Sequence, residues 1–303
     1  MSPSGNPRES LLDQAEHAAS ALPPLLVAAE RIAATVASGL HGRRRAGPGE
    51  TFWQFRRYQV GDEMRAIDWR QSAKRDRLYV REYEWEAAQS VWLWCDRSPS
   101  MNYHSGPELP EKRERAVLLT LALAALLVRG GERIALLEET WRDPPGVGRA
   151  TLLRLAAGLS RSAPESPGFP VPVRLPRYAN VVLIGDFLAP LAETSAFLLD
   201  LSGRGLRSHV LQVLDPAEET LPFSGRIRFS GLEGERETLI PRAEAAREAY
   251  GRRLAAHRQG LEDITRAARG TFATHRTNVA PELALLALYA ALGPRGRNSG
   301  DRR

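Results

Sequence analysis

The sequence has a single cysteine and three methionines among its 303 residues, and it lacks a long apolar run. The one thiol, Cys95, lies in the apolar string V-W-L-W-C. Neither an intrachain disulfide framework nor a cysteine zinc site can form, and a reducing compartment is expected. The longest apolar stretch, Ala116 to Val128, has 13 residues, whereas a bilayer span needs about 20. The first residues, M-S-P-S-G-N-P-R-E-S, do not read as a signal peptide. A soluble, cytoplasmic protein is therefore expected.

Other absences bear on chemistry. The six histidines (17, 41, 104, 209, 257 and 275) show no metal-ligand spacing. There is no G-x-S-x-G elbow of a hydrolase. The segment G-V-G-R-A-T at 146–151 lacks the G-K-[ST] ending of a phosphate loop. No internal repeat is found. Nothing supplies a nucleophile with a positioned base, so a non-enzymatic role is expected.

What is present is an ordinary globular composition, 43% hydrophobic and 26% charged, with one anomaly. Of the 42 Lys and Arg, 11 fall between His41 and Arg81, against five of the 36 Asp and Glu, so the whole +6 surplus lies in that stretch. Arg43, Arg44 and Arg45 with Phe52, Trp53, Phe55, Tyr58 and Trp69 have the composition of a surface that tracks phosphates and stacks bases. In R-R-Y-Q-V-G-D-E-M-R-A-I-D-W-R, however, Arg and Asp sit three to five apart, as in ion pairs bracing an irregular segment. Structural bracing or a protein-docking face that includes Arg56 and Arg57 is the first reading. A nucleic-acid-binding protein using residues 41–81 is the alternative.

Periodicity predicts two helices over residues 9–38, broken at Pro23-Pro24, and then a glycine-rich basic loop. The alternation R-L-Y-V-R-E-Y-E-W at 77–85 predicts a half-exposed strand, paired hairpin-fashion with the apolar strand S-V-W-L-W-C at 90–95. Strands and helices then alternate. Helices are expected near 111–129, 149–159, 191–201, 242–269 and 281–292. Strands are expected at R-I-A-L-L-E, N-V-V-L-I-G, H-V-L-Q-V-L and G-T-F-A-T-H, with a hairpin insertion at 224–240. Trp85, Trp92 and Trp94 are expected to pack in the core or at the sheet edge. This order predicts an α/β fold, a doubly wound, mainly parallel sheet with helices on both faces. The domain plan is N-terminal helices over 1–40, a basic and aromatic segment with a hairpin over 41–87, the α/β domain over 88–292 and a flexible tail over 293–303.

In such sheets ligands bind at the carboxyl ends of the strands. Two of those ends are acidic: S-V-W-L-W-C runs into Asp96-Arg97-Ser98-Pro99-Ser100, and V-V-L-I-G ends at Asp186. Asp96, Ser98 and Ser100 can turn three hard oxygens to one point, with Asp186 reaching it from a second strand. Such oxygens suit Mg²⁺ or Mn²⁺. The competing reading is that Asp96 caps the next segment and the serines make turns.

S-V-W-L-W-C-D-R-S-P-S-M resembles the first strand and metal-ion-dependent adhesion site of a von Willebrand factor A domain, and V-V-L-I-G-D-F-L the strand bearing its later aspartate. Residues 49–84, G-E-T-F-W-Q-F-R-R-Y-Q-V-G-D-E-M-R-A-I-D-W-R-Q-S-A-K-R-D-R-L-Y-V-R-E-Y-E, are similar to the signature of the bacterial domain-of-unknown-function 58 family. These von Willebrand A-like proteins are often encoded beside a MoxR-type AAA+ ATPase. The resemblance implies metal ligands at Asp96, Ser98, Ser100 and Asp186, with Thr151 of P-P-G-V-G-R-A-T-L-L as the sole candidate for the middle threonine. It also implies an adaptor that works with that ATPase on a client protein, and an open coordination position for a partner's carboxylate. Many relatives carry N-terminal membrane spans, and none is expected in this chain.

Overall fold

The computed structural model describes residues 24–39, 51–58, 67, 69–74, 78–84, 90–138, 144–160, 168–170, 175–232 and 237–293; for 51–57, 71 and 80–84 it describes the backbone alone. Helix α1 spans residues 24–39. The first of the two expected helices lies outside the described residues. Strand β1 (Thr51–Arg57), the short helix α2 (Trp69–Ser72) and β2 (Tyr79–Glu84) come next.

The expected strand at 77–85 exists, but its partner differs. β2 pairs antiparallel with β1, Arg57 opposite Tyr79, and not with the strand at 90–95. A register shift between Phe52 and Gln54 interrupts β1, which is why its sequence shows no clean alternation. The 90–95 segment is apolar on both faces and belongs to the central sheet.

That sheet is built from β3 (Ser90–Cys95), β4 (Arg133–Leu136), β5 (Asn180–Gly185), β6 (Arg207–Leu214) and β9 (Thr271–Arg276). Its order is β4-β3-β5-β6-β9, and every pairing is parallel. The connections are α3 (Lys112–Arg129), α4 (Gly148–Ser160), α5 (Leu191–Gly203), α6 (Pro216–Thr220) and α7 (Ala243–Ala267), and α8 (Pro281–Leu292) follows β9. Strands β7 (Ile227–Phe229) and β8 (Thr238–Ile240) form a small antiparallel pair between α6 and α7.

The two-residue period of the strands divides the core into two layers. Val91, Leu93 and Cys95 of β3, with Val182 and Ile184 of β5, pack under α1, α3, α4 and α8. Trp92, Trp94, Val181 and Leu183 face the other way, against Phe197, Leu198 and Leu201 of α5 and Leu261 of α7. Trp92 and Trp94 are both buried, as expected for core aromatics. A sheet covered on both faces leaves its strand ends as the open positions. Among the described residues no helix is long and apolar enough to cross a membrane.

Candidate functional site

The central strands β3, β5 and β6 each end directly on an aspartate: Asp96, Asp186 and Asp215. All three are buried at the carboxyl edge of the sheet. The third was missed in the sequence, although L-Q-V-L-D repeats the strand-then-aspartate pattern of the other two.

Asp96 does cap its turn. Its Oδ1 accepts the Ser98 backbone N–H at 2.9 Å, so the turn reading holds for that oxygen. Its other oxygen lies over Gly185, where a Cβ would stand 3.0 Å from Asp96 Oδ2 and 2.7 Å from its Cβ. Only glycine at 185 leaves room for that carboxylate. The serines follow in a 3-10 turn, Pro99–Met101, and the Ser98 side chain makes no capping bond to it. Instead Ser98 Oγ and Ser100 Oγ lie 3.0 Å apart, and Ser100 Oγ donates to Asp186 Oδ2 at 2.8 Å. Since the Ser100 proton is committed to Asp186, Ser98 is the donor of the first bond. Asp96, Ser98, Ser100 and Asp186 are thus gathered at one place.

A residue that sequence reasoning missed completes the cluster. Lys112, at the start of α3, is 0% exposed, and its Nζ donates to Asp186 Oδ2 at 3.0 Å and to Glu218 Oε1 at 2.6 Å. Burial alone would pull this amine down, but Asp186 and Glu218 more than offset it, and Lys112 is held above the usual lysine range. Burial pushes the Glu218 carboxyl up against the pull of Lys112. Glu218 Oε2 accepts the Asp215 backbone N–H while Asp215 Oδ1 accepts from Ala217, a reciprocal capping box at the start of α6. Asp215 Oδ2 takes the Ser105 N–H at 2.9 Å. A chain of polar contacts therefore runs from Ser98 across three strand ends to Ser105. Beside it, the buried Arg97 pairs with Glu138 at 2.7 Å and donates to the Gly158 carbonyl.

Thr151 is not brought to this cluster. It lies in the first turn of α4, its hydroxyl donating to Val147 O and accepting from Arg154. It packs on Gly146, which bridges Ile134, and Ile134 pairs with Val91. Val91 is five residues from Asp96 along the strand direction, roughly 16 Å at the rise of a β-strand. The threonine is tied to the opposite end of the sheet. Arg43, Arg44 and Arg45 lie outside the described residues. Of Arg56 and Arg57 only the backbone, in β1, is described.

By donor chemistry Asp96, Ser98, Ser100 and Asp186 fit a hard divalent cation, two carboxylates and two hydroxyls from facing loops. The fit depends on the hydroxyls, because among the described residues no group of three or more His, Cys, Asp or Glu is placed to hold a metal.

These features define a mixed α/β protein whose parallel sheet gathers a buried cluster of carboxylates and hydroxyls at its carboxyl edge. Residues 54–260 match the family described as "Protein of unknown function DUF58", and the chain belongs to that family. It is 30% identical over 240 residues to the uncharacterized proteins Rv1480 of Mycobacterium tuberculosis and Mb1516 of Mycobacterium bovis, covering 74% of this chain and 73% of each relative. Two solved structures show weaker likeness. An aerotolerance-related membrane protein from Bacteroides fragilis aligns at a TM-score of 0.42 and 15% identity, over 67% of this chain and 98% of that one. BatB from Bacteroides thetaiotaomicron aligns at 0.34 and 12%, over 67% and 97%. At these scores the likeness supports no further conclusion.

Proposed function

We propose that the protein is a non-catalytic, von Willebrand A-like adaptor that binds another protein at the carboxyl edge of its central sheet. The observation that supports this most is the convergence of Asp96, Ser98, Ser100 and Asp186 from two separate strand ends. Asp96 and Asp186 with the two serine hydroxyls would hold Mg²⁺ or Mn²⁺. Two carboxylates and two hydroxyls would leave coordination positions of a divalent ion open, and a partner's Asp or Glu would fill one. The chain's own residues do the rest: Gly185 keeps space for the Asp96 carboxylate, and the Arg97–Glu138 pair fixes the loop that follows β3.

The sequence resemblance suggests the partner, a MoxR-type AAA+ ATPase in the cytosol, with the adaptor linking it to a client protein. A pull-down between this chain and the purified MoxR-type ATPase of the same genome tests the reading. Binding should require Mg²⁺ and be lost in Asp96→Ala, with the variant's circular dichroism spectrum unchanged. Binding that persists in Asp96→Ala, or in excess chelator, refutes it.

A further inference from the structure

The cluster already contains a cation, and the chain supplies it. The Lys112 ammonium is fully buried between Asp186 and Glu218, and Asp186 Oδ2 accepts both it and the Ser100 hydroxyl. Asp186 is one of the four oxygen donors assigned above to a divalent ion. An ion drawing on that oxygen would share it with a fixed positive charge 3.0 Å away, in a site from which water is largely excluded. Glu218 offers the ammonium an alternative seat at 2.6 Å, and Glu218 is itself fixed by the Asp215 backbone.

We propose that Lys112 is a built-in competitor for the divalent cation. Seated on Asp186, its ammonium withholds that carboxylate, and the ion gains it only as the ammonium moves wholly onto Glu218. The inference rests on the cation reading of the same cluster. It adds that the affinity of the ion is set by Lys112, which lies outside the Asp-x-Ser-x-Ser signature. A partner carboxylate that completes the ion's shell would therefore also be driving Lys112 off Asp186, so ion and partner bind more tightly together than apart.

The test is Mn²⁺ binding to the full chain, read from the electron paramagnetic resonance signal of the free ion. Lys112→Met should bind Mn²⁺ roughly tenfold or more tightly than the wild type, because a repulsive charge beside the ion is gone. A folded Lys112→Met that binds equally or more weakly overturns the proposal. Lys112→Met combined with Glu218→Gln removes both members of the pair, should keep the gain, and guards against a single variant that does not fold. The wild type offers an independent readout. In a lysine-selective ¹H–¹⁵N spectrum titrated with Mg²⁺, the Lys112 ammonium resonance should move in step with ion binding. Mg²⁺ that binds while this resonance stays still overturns the competitor and leaves the cation reading standing. If none of the three proteins binds Mn²⁺, both readings fall.

Discussion

Gly185 sets the cluster's tolerance. An added Cβ would stand 2.7 Å from Asp96 Cβ and 3.2 Å from the Trp94 ring, so neither neighbour can remain in place. Gly185→Ala should lower stability by about 1–3 kcal/mol, as overpacking does, and weaken Mg²⁺-dependent partner binding as Asp96 is displaced. Urea unfolding and the pull-down together check both parts. The neighbouring thiol behaves oppositely. Burial pushes Cys95 up to about 12, with only a modest opposing effect from its Thr120 hydrogen bond. The folded protein should therefore leave an aromatic disulfide reagent unreacted at pH 8, and one thiol should appear on addition of guanidinium. Fast reaction in the folded state would show that this strand end opens.

At the scale of elements, α3 begins with a positive charge where the helix dipole is least hospitable to it. Asp186 and Glu218 supply the reason, both within 3.0 Å of the Lys112 nitrogen. Lys112→Met alone should lose about 3–5 kcal/mol, because the buried Asp186 and half-buried Glu218 carboxylates are left facing each other, and adding Glu218→Gln should recover part of that loss. Chemical denaturation of the two variants measures the difference. Most elements were legible in the sequence. The helix expected at 111–129 spans Lys112–Arg129, and the last runs from Pro281 to Leu292 as its pattern indicates. Strands covered on both faces betray themselves as unbroken apolar runs, which is why β3 and β5 were readable. The pairing of β2 was not. Adjacent strands usually pair, and that expectation favoured 90–95 over β1, whose interrupted register hides its alternation. Asp96, Ser98, Ser100 and Asp186 could be named because short spacing and strand ends point to them. Lys112 and Glu218 could not: in P-E-K-R-E-R and D-P-A-E-E each looks like one more solvated charge of a first turn. Thr151 was the reverse case, chosen for its residue type next to glycines, although its helix starts at the far end of the sheet.

For the molecule as a whole, pH enters through β9 and α3. Burial, with the Arg115 guanidinium beside it, holds the His275 imidazole down to about 4, against an ordinary 6.5. Arg115 is itself anchored on the Thr277 and Val279 carbonyls. Between those two pH values the unfolded chain binds a proton that the folded one refuses. Stability from this group is therefore level above pH 6.5 and falls as pH drops toward 4, by on the order of 3 kcal/mol. Urea midpoints at pH 7.5 and 5 should differ accordingly, and His275→Gln should flatten the difference; an equal slope in the variant would assign the pH dependence elsewhere.

The cluster's contacts also span the chain. Ser100 meets Asp186 across 86 residues, and Lys112 reaches Glu218 across 106. No fragment holding only one strand and its helix contains the cluster, and a chain with β5 or β6 undocked does not have it either. A ligand of this edge would meet it only after β3, β5 and β6 have docked. A partner binding there, as proposed, would read the docking of these strands directly and stabilise the folded sheet by mass action.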